Sequence, residues 1–378
     1  MSALIDWLLD GAPSAEKAPD VLDQLCRRLR AQGLPLDRAG LFVEVLHPQF
    51  LGFSSRWLPD QPIEVRPAPR AFAEELEYRR SPARQVARTG RSLRCDLTIP
   101  AGAEEPAILA QLREEGYLDY LMQPVRFSRG DIHAVSWATR RPGGFTEPDL
   151  AVLDGILRPF ARVIEIMALR RLGMTLLDTY VGHASGERIL KGAIRPGDVE
   201  RILAAIMVSD LREFTAFSNE APPERVIGRL NAVFGCIVPA VEAAGGEVLK
   251  LIGDGLLAIF PLAAGAPHRV CEAALGAART ALDALAELDA TPPVRCGLAL
   301  HVGEVSYGNI GAGDRLDFTA VGPAVNLTAR LEPLTKELER PLLVSESFAA
   351  LVKTPLQSLG RFALRGFSAP VGVYGIAS

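Results

Sequence analysis

The segment GGEVLKLIGDGLLAIF, residues 245–260, sets Asp254 between Gly253 and Gly255, with Lys250 four residues earlier. A tight turn needs a small polar residue there, and a carboxylate is one of several that serve. A second aspartate, Asp210, closes the apolar run ILAAIMVSD and is followed at once by LREFT. Two carboxylates brought close together repel, and they need a shared proton or cations to stay there. Hard divalent ions such as Mg2+ take few carboxylates and fill their shell with substrate phosphates. Two such ions on two aspartates form a clamp for in-line displacement at phosphorus. Where LREFT passes from strand to helix, backbone N–H groups around Phe214 and Thr215 would cradle a phosphate. Neither a Walker-type GxxxxGK(S/T) run nor GxGxxG occurs, so P-loop and Rossmann chemistry have little support. In RLDFTAVGPAVNLTARLE (315–332), Gly322 and Pro323 read as a helix start. Asn326 and Arg330 would share one face of that helix. Such a pair could hold a ribose and neutralise a developing phosphoryl charge, although the spacing alone is more often that of a solvated surface pair.

These residues converge only if particular elements place them. From about residue 200 the pattern reads strand (202–210), helix (222–243), strand (247–254), strand (256–261), helix (267–288) and strand (295–305). That order is β-α-β-β-α-β, a ferredoxin-like unit. A right-handed crossover makes the first two strands parallel, and the hairpin returns antiparallel to them. Asp210 and Asp254 then fall at the same edge of the sheet. The first half mixes strand candidates (AGLFVEVLHP, DYLMQPVRF, DIHAVSWATR) with helices over 18–32 and 106–116. Between the halves, 147–185 carries Leu150, Leu153, Leu157, Phe160, Ile164, Met167 and Leu172 near a period of 3.6. Pro159 is expected to kink this helix or divide it. It would serve as a dimer seam and signal conductor, or pack only on its own domain. GHASGERILKGAIRPGDVER then reads as a connector. Three regions follow: 1–146, a helical linker over 147–199, and 200–378. The expected class is α+β throughout.

The 378 residues suffice for two domains, and 48% apolar with 23% charged residues describes a folded chain. A net charge of -4 gives no global basic field for nucleic acid. Five cysteines without a CxxC pair and five scattered histidines give no zinc pattern and read as free thiols. Acids occupy the N-terminus where a signal peptide would be basic, and the apolar run LLAIFPLAAGA is broken by Pro261. No membrane span and a cytoplasmic location are expected.

MVSDLREFT, GGEVLKLIGDGLLAIF, ALHVGEVSYGNIG and DFTAVGPAVNLTARLE resemble the consecutive motifs of the class III nucleotidyl cyclase catalytic domain, over nearly half the chain. The resemblance implies a head-to-tail homodimer with sites at the subunit interface. Asp210 and Asp254 match the family's metal-binding aspartates, with Leu211 counted beside them, for two Mg2+ or Mn2+ ions per site. Lys250 matches the lysine that reads the purine in adenylate cyclases, and Thr319 falls at the second purine-selecting position. Asn326 and Arg330 match residues that orient the ribose and stabilise the transition state from the opposite subunit. Phe214 and Thr215 would lie against the substrate phosphates. Arg365, in FALRGFSAPVGVYGI, stands where the family often has a phosphate-contacting lysine.

Lysine only donates hydrogen bonds and so suits adenine's ring-nitrogen acceptors, while threonine can accept from the adenine amino group. The implied activity is adenylate cyclase: the ribose 3′-hydroxyl attacks the α-phosphorus in line, giving 3′,5′-cyclic AMP and pyrophosphate without a protein general base. The alternatives are a guanylate or dual-specificity cyclase and a non-catalytic nucleotide-binding module. The GG(D/E)EF hairpin of diguanylate cyclases is absent.

Residues 20–170 resemble a GAF-type sensor domain, carried on LFVEVLHPQF, IHAVSWATRR and GGFTEPDLAVLDGILRPFARVIE. The resemblance implies a regulatory domain answering an unknown small-molecule or protein signal. Trp57, Trp137, Tyr117 and Tyr120 would line a pocket or fill the core.

Overall fold

A computed structural model of the chain describes residues 2–45, 50–71, 75–99, 102, 105–262, 266–313 and 315–376, which divide into two units, 1–176 and 177–378. In the first unit, α1 (Ser2–Leu9) and α2 (Ala18–Ala31) lead into β1 (Arg38–Glu44), β2 (Phe50–Trp57) and β3 (Glu64–Pro69). Then come α3 (Leu76–Arg80), α4 (Pro82–Thr89), β4 (Leu93–Asp96), α5 (Ala107–Glu114), β5 (Asp119–Arg126), β6 (Ile132–Thr139) and α6 (Glu147–Tyr180). The six strands form one antiparallel sheet, ordered β3-β2-β1-β6-β5-β4. The three expected strands appear as β1, β5 and β6; residues 46–49 at the end of the first lie outside the described residues. Of the strands that sequence reading passed over, β2 carries Gly52, Ser54 and Ser55 in its middle, β3 carries arginine and two prolines, and β4 has four residues. Pro67 and Pro69 sit on the edge strand β3, where a missing N–H costs no ladder bond.

Strand alternation sorts the side chains. Ala39, Leu41 and Val43 join Trp57, Val135 and Trp137 in a core with Val21, Leu25 and Leu29 of α2 and Ile156, Phe160 and Ile164 of α6. On the other face Tyr120, Met122 and Ala134 pack with Val86 of α4 and Leu109 and Leu112 of α5. A cavity of about 390 Å3 opens beside them, its walls including Phe42, Met122, Ala134 and Leu112, with Arg38, Tyr120 and Ser136 as polar groups. Tyr120 therefore lines a pocket, whereas Trp57, Trp137 and Tyr117 are fully buried core residues. The indoles are satisfied inside the fold: Trp57 Nε1 donates to Asp23 Oδ1 at 2.8 Å and Trp137 Nε1 to Gln123 Oε1 at 2.8 Å. Gln123 in turn donates to Asp154 on α6 at 2.6 Å.

Of the kink or division expected at Pro159, division does not occur: α6 runs through it as one helix. The proline removes one amide bond, but Ile156, Phe160 and Ile164 around it are fully buried, and tertiary packing outweighs the local loss.

The second unit opens with α7 (His183–Leu190), then β7 (Val199–Leu211), α8 (Phe214–Glu220), α9 (Pro223–Ala243), β8 (Glu247–Ile252), β9 (Gly255–Pro261), α10 (Pro267–Ala286) and β10 (Cys296–Ala312). This is the expected β-α-β-β-α-β order, in a sheet running β10-β7-β9-β8 with every neighbouring pair antiparallel, so β7 and β8 run parallel. β10 is longer than expected and pairs with β11 (Arg315–Val321) as a hairpin. α11 (Pro323–Leu331), α12 (Leu334–Glu337), β12 (Leu342–Ser345), α13 (Glu346–Ala349), β13 (Leu356–Phe362) and β14 (Val371–Ile376) complete the chain, and β12, β14 and β13 extend the sheet beyond β10.

One sheet face buries Met207, Ala258, Phe260 and Leu300 under α9 and α10. The other buries Ile206, Ile259, Tyr307 and Phe318 together with Ala324 of α11. Among the described residues α9 is long and apolar enough to cross a membrane, against the expectation of no such stretch. Its Val233, Ile237 and Val241 are buried against the sheet, while only 17% of its apolar window is buried.

The connector is tied into this unit at Glu247, the first residue of β8. Its carboxylate accepts from the Ser185 amide at 2.8 Å, the Ser185 hydroxyl, and the Tyr307 hydroxyl at 2.5 Å. Arg188 of α7 stacks over the Tyr307 ring at 4.7 Å, and Asn309 Nδ2 donates to the Ala193 carbonyl at 2.7 Å.

The Trp137–Gln123–Asp154 chain yields a test. Gln123→Leu leaves the buried Trp137 indole N–H without its acceptor and should destabilise the first unit by about 1–3 kcal/mol. Urea denaturation followed by tryptophan fluorescence reads this directly; an unchanged midpoint would mean that the indole finds another acceptor.

Candidate functional site

Asp210 lies at the end of β7 and Asp254 in the turn between β8 and β9. Pairing of Ser209 with Leu256 brings the two together at one end of the sheet. Both flanking glycines have a physical reason. Gly253 adopts a φ of +62°, in the left-handed region. A methyl group on Gly255 would collide with the Ser209 carbonyl and lie 3.3 Å from Asp210 Oδ1. Burial pushes the Asp210 carboxyl up, Asp254 adds to the rise, and Arg212 partly opposes it. A divalent cation would relieve that repulsion, and the all-oxygen donor set fits Mg2+ or Mn2+. Among the described residues no group of three or more His, Cys, Asp or Glu forms a metal cage. The two carboxylates would thus hold ions whose remaining ligands come from phosphate and water. Leu211 could contribute only its backbone carbonyl, since its side chain is buried in the helix-side core.

Behind the aspartates sits a pair that sequence reading missed. Arg212 Nη2 lies 3.0 Å from Glu332 Oε1, and the two side chains are only 17% and 6% exposed. Arg212 Nη2 makes no aligned hydrogen bond, so the contact is an ion pair alone. Burial, together with the charges of Asp210 and Asp254, pushes the Glu332 carboxyl up to about 7 despite Arg212 and Thr335. Gly297, opposite Asp210 on β10, leaves the space: a side chain there would strike Arg212, Thr335 and Glu332. The signal was present in LREFT and TARLE, one arginine and one glutamate beside residues already singled out.

Lys250 is ion-paired with Asp317 of β11, another residue the sequence reading did not single out. Thr319 is buried two residues further along the same strand. Phe214 and Thr215 open α8, where the first helical amides have no intrahelical acceptor. Glu213 before them takes a left-handed φ of +59°, and its carboxylate meets Arg295 Nη2 at 2.8 Å. Phe214 packs against the helix-side core, and Thr215 is exposed.

Asn326 and Arg330 share the exposed face of α11, while Ala324, Thr328 and Leu331 face inward. Among the described residues neither makes a hydrogen bond or ion pair through its side chain. Arg365 sits in the exposed turn between β13 and β14, a hairpin separated from β7 by β12 and β10. The structure therefore brings Asp210 to Asp254 and Lys250 to the strand of Thr319. It does not bring Arg365 to the aspartates of its own chain.

Residues 200–376 match the family described as the adenylate and guanylate cyclase catalytic domain. An uncharacterized protein of Mycobacterium tuberculosis is 33% identical over 230 residues, covering 59% of this chain and 38% of that protein. The chain spans less than half the length of the curated relatives it matches. Among solved structures, the adenylyl cyclase CyaB from P. aeruginosa is 26% identical, with a TM-score of 0.43, covering 48% of this chain and 96% of that one. A guanylyl cyclase is 28% identical, with a TM-score of 0.43, covering 48% and 94%.

Two outcomes follow from the packing around Asp210. Gly255→Ala should cost about 1–3 kcal/mol in denaturant unfolding, because the added methyl meets backbone that cannot give way. Glu332, raised to about 7, holds its proton more firmly folded than unfolded. Its contribution to stability therefore falls as pH rises between roughly 4 and 7. Melting curves without added metal should show Glu332→Gln gaining on the wild type from about pH 5 to about pH 8. A constant difference would mean that Glu332 titrates as an ordinary exposed carboxyl.

Proposed function

With residues 200–376 forming a class III nucleotidyl cyclase catalytic domain, we propose that the chain is an adenylate cyclase, converting ATP to 3′,5′-cyclic AMP and pyrophosphate as a homodimer. One observation carries the reading. Asp210 and Asp254 are gathered at one sheet end, while Asn326 and Arg330 stand on an exposed helix face with no side-chain partner among the described residues. Groups that a site needs, yet which face outward, are what a symmetric pair of chains would exchange.

In each site Asp210 and Asp254 come from one protomer, with the Leu211 carbonyl beside them. Asn326 orients the ribose and Arg330 neutralises charge on the α-phosphoryl group, both from the partner. Two Mg2+ or Mn2+ ions, when bound, supply the acidity of the 3′-hydroxyl and the charge that holds the triphosphate. Lys250 donates to an adenine ring nitrogen, and Thr319 accepts from the amino group. Free amides at the start of α8, around Phe214 and Thr215, face the phosphates, with Arg365 a further phosphate contact.

The first unit is proposed as a GAF-like sensor for a small molecule, a reading supported by its cavity of about 390 Å3, whose lining mixes apolar residues with polar and charged ones such as Arg38, Glu44, Tyr120 and His133. Along α6, Ile166, Leu169, Leu176 and Tyr180 are exposed at helical spacing, which supports a seam with a second copy.

Complementation tests the reading. Asp254→Ala and Arg330→Ala should each lower cyclic AMP formation at least about a hundredfold. Co-expressed, they should recover about a quarter of wild-type activity, because half of randomly formed dimers hold one intact site. Mass spectrometry of products from ATP and GTP in parallel reads both activity and nucleotide choice. Failure to recover would exclude shared sites, and cyclic GMP as the main product would exclude the choice of adenine.

A further inference from the structure

The ammonium proposed to read the purine is already engaged. Lys250 Nζ pairs with the Asp317 carboxylate, with both side chains only partly exposed, 31% and 54%. Asp317 and Thr319 are two apart on β11 and project to the same side of that strand. Phe318 between them projects to the other side, where its ring meets Tyr307 edge-on at 5.0 Å. Register fixes the row, with Asp317 opposite Ile310 and Thr319 opposite Gly308 on β10. On β8, a bulge between Val248 and Lys250 breaks the alternation that would otherwise put both residues on one face. Val248 packs toward the helix-side core, and Lys250 reaches Asp317. Thr319, Asp317 and Lys250 thus form one polar row built from two strands of a single chain.

Hydrogen-bond chemistry gives Asp317 a definite part. Adenine offers a ring-nitrogen acceptor beside an amino donor. Guanine offers a ring N–H and an amino group, both donors. Lys250 only donates, and an ionised Asp317 only accepts. A carboxylate with both oxygens free is therefore a guanine reader. Paired with Lys250, it is partly occupied, and it steadies an ammonium that otherwise sits on a flexible four-carbon stem. We infer that Asp317 is a specificity-determining residue of this site: it positions Lys250 for adenine, and the ion pair masks its own capacity to accept from guanine. The inference rests on the reading of the domain as an ATP cyclase. It makes discrimination a property of the pair, and Lys250 alone does not carry it.

The test uses the full chain with Mn2+ and four variants: Asp317→Asn, Asp317→Glu, Lys250→Met, and Lys250→Met combined with Asp317→Asn. Steady-state kcat and KM are measured for ATP and GTP separately, alongside calorimetric binding of the α,β-methylene analogues. Asp317→Asn should raise KM for ATP about tenfold, with a smaller change in kcat, and Asp317→Glu should recover part of the loss. Lys250→Met should move the ratio of kcat/KM toward GTP by at least about tenfold, and the double variant should lose that gain. A merely structural role would weaken both nucleotides alike; an unmoved ATP-to-GTP ratio in Asp317→Asn and in the double variant relative to Lys250→Met overturns the inference while leaving the ATP reading intact. A wild type that prefers GTP overturns the ATP reading and the masking with it. A wild type that binds neither analogue overturns both.

Discussion

The repulsion between Asp210 and Asp254 is the constraint around which the second unit is arranged. Burial raises the Asp210 carboxyl and the charge of Asp254 adds to the rise, so bringing both to one sheet end costs free energy. Nothing in β-sheet pairing requires aspartates there; the pairing of β7 with β9 merely makes the distance short. The surrounding residues respond to that negative field. Arg212 lies within it, lowering the cost of ionising Asp210, and Glu332 is pushed toward its neutral form first by burial and then by the same two carboxylates. Small residues concede the room, Gly255 to the strand beside Asp210 and Gly297 to the ion pair. A site balanced in this way is electrostatically incomplete without cations, and it is correspondingly suited to a polyphosphate substrate that arrives with them.

Much of this was legible beforehand, because the relevant signals are local. Runs such as ILAAIMVSD and LLAIFP declare buried strands, and crossover handedness then places their ends without further information. The turn glycines around Asp254 announced a close approach. What escaped notice was set by tertiary contacts. β12 spans only Leu342–Ser345, too short for a period to register, yet it is fully buried in the sheet. Pro159 carries a strong local veto on helix continuity, and the core of the first unit overrides it. Asp317 and Glu332 looked like ordinary surface acids, since a carboxylate's partner cannot be read from its neighbours in the chain. Only the bulge in β8 and the pairing of β11 with β10 bring Lys250 and Asp317 together, and neither leaves a compositional mark.

Both units combine buried neutral hydrogen bonds with buried carboxylates paired to arginine, Asp119 and Glu165 in the first and Glu332 in the second. In the first, the indoles of Trp57 and Trp137 each donate to a side-chain acceptor, so the core is pinned by neutral or singly charged hydrogen bonds. Such bonds fix geometry while leaving the adjacent cavity largely apolar. In the second, the buried Glu332 pairs with Arg212 behind Asp210 and Asp254, whereas Ser209, Asn309, Thr319 and Thr328 are buried neutral groups. A site for a polyanion must carry charge of its own, and Arg212 and the two aspartates with their cations would supply it at the sheet end of the second unit.

The anchoring of α7 has a mechanical consequence. Glu247 is the shared acceptor of Ser185 and Tyr307, and it lies three residues before Lys250 on the same strand. A carboxylate half-sunk in the fold cannot release those donors cheaply; each lost bond to a charged group costs about 1–3 kcal/mol. The connector is therefore clamped to the root of β8 and has no slack there. A displacement of α7 thus acts on β8 at Glu247, three residues before Lys250.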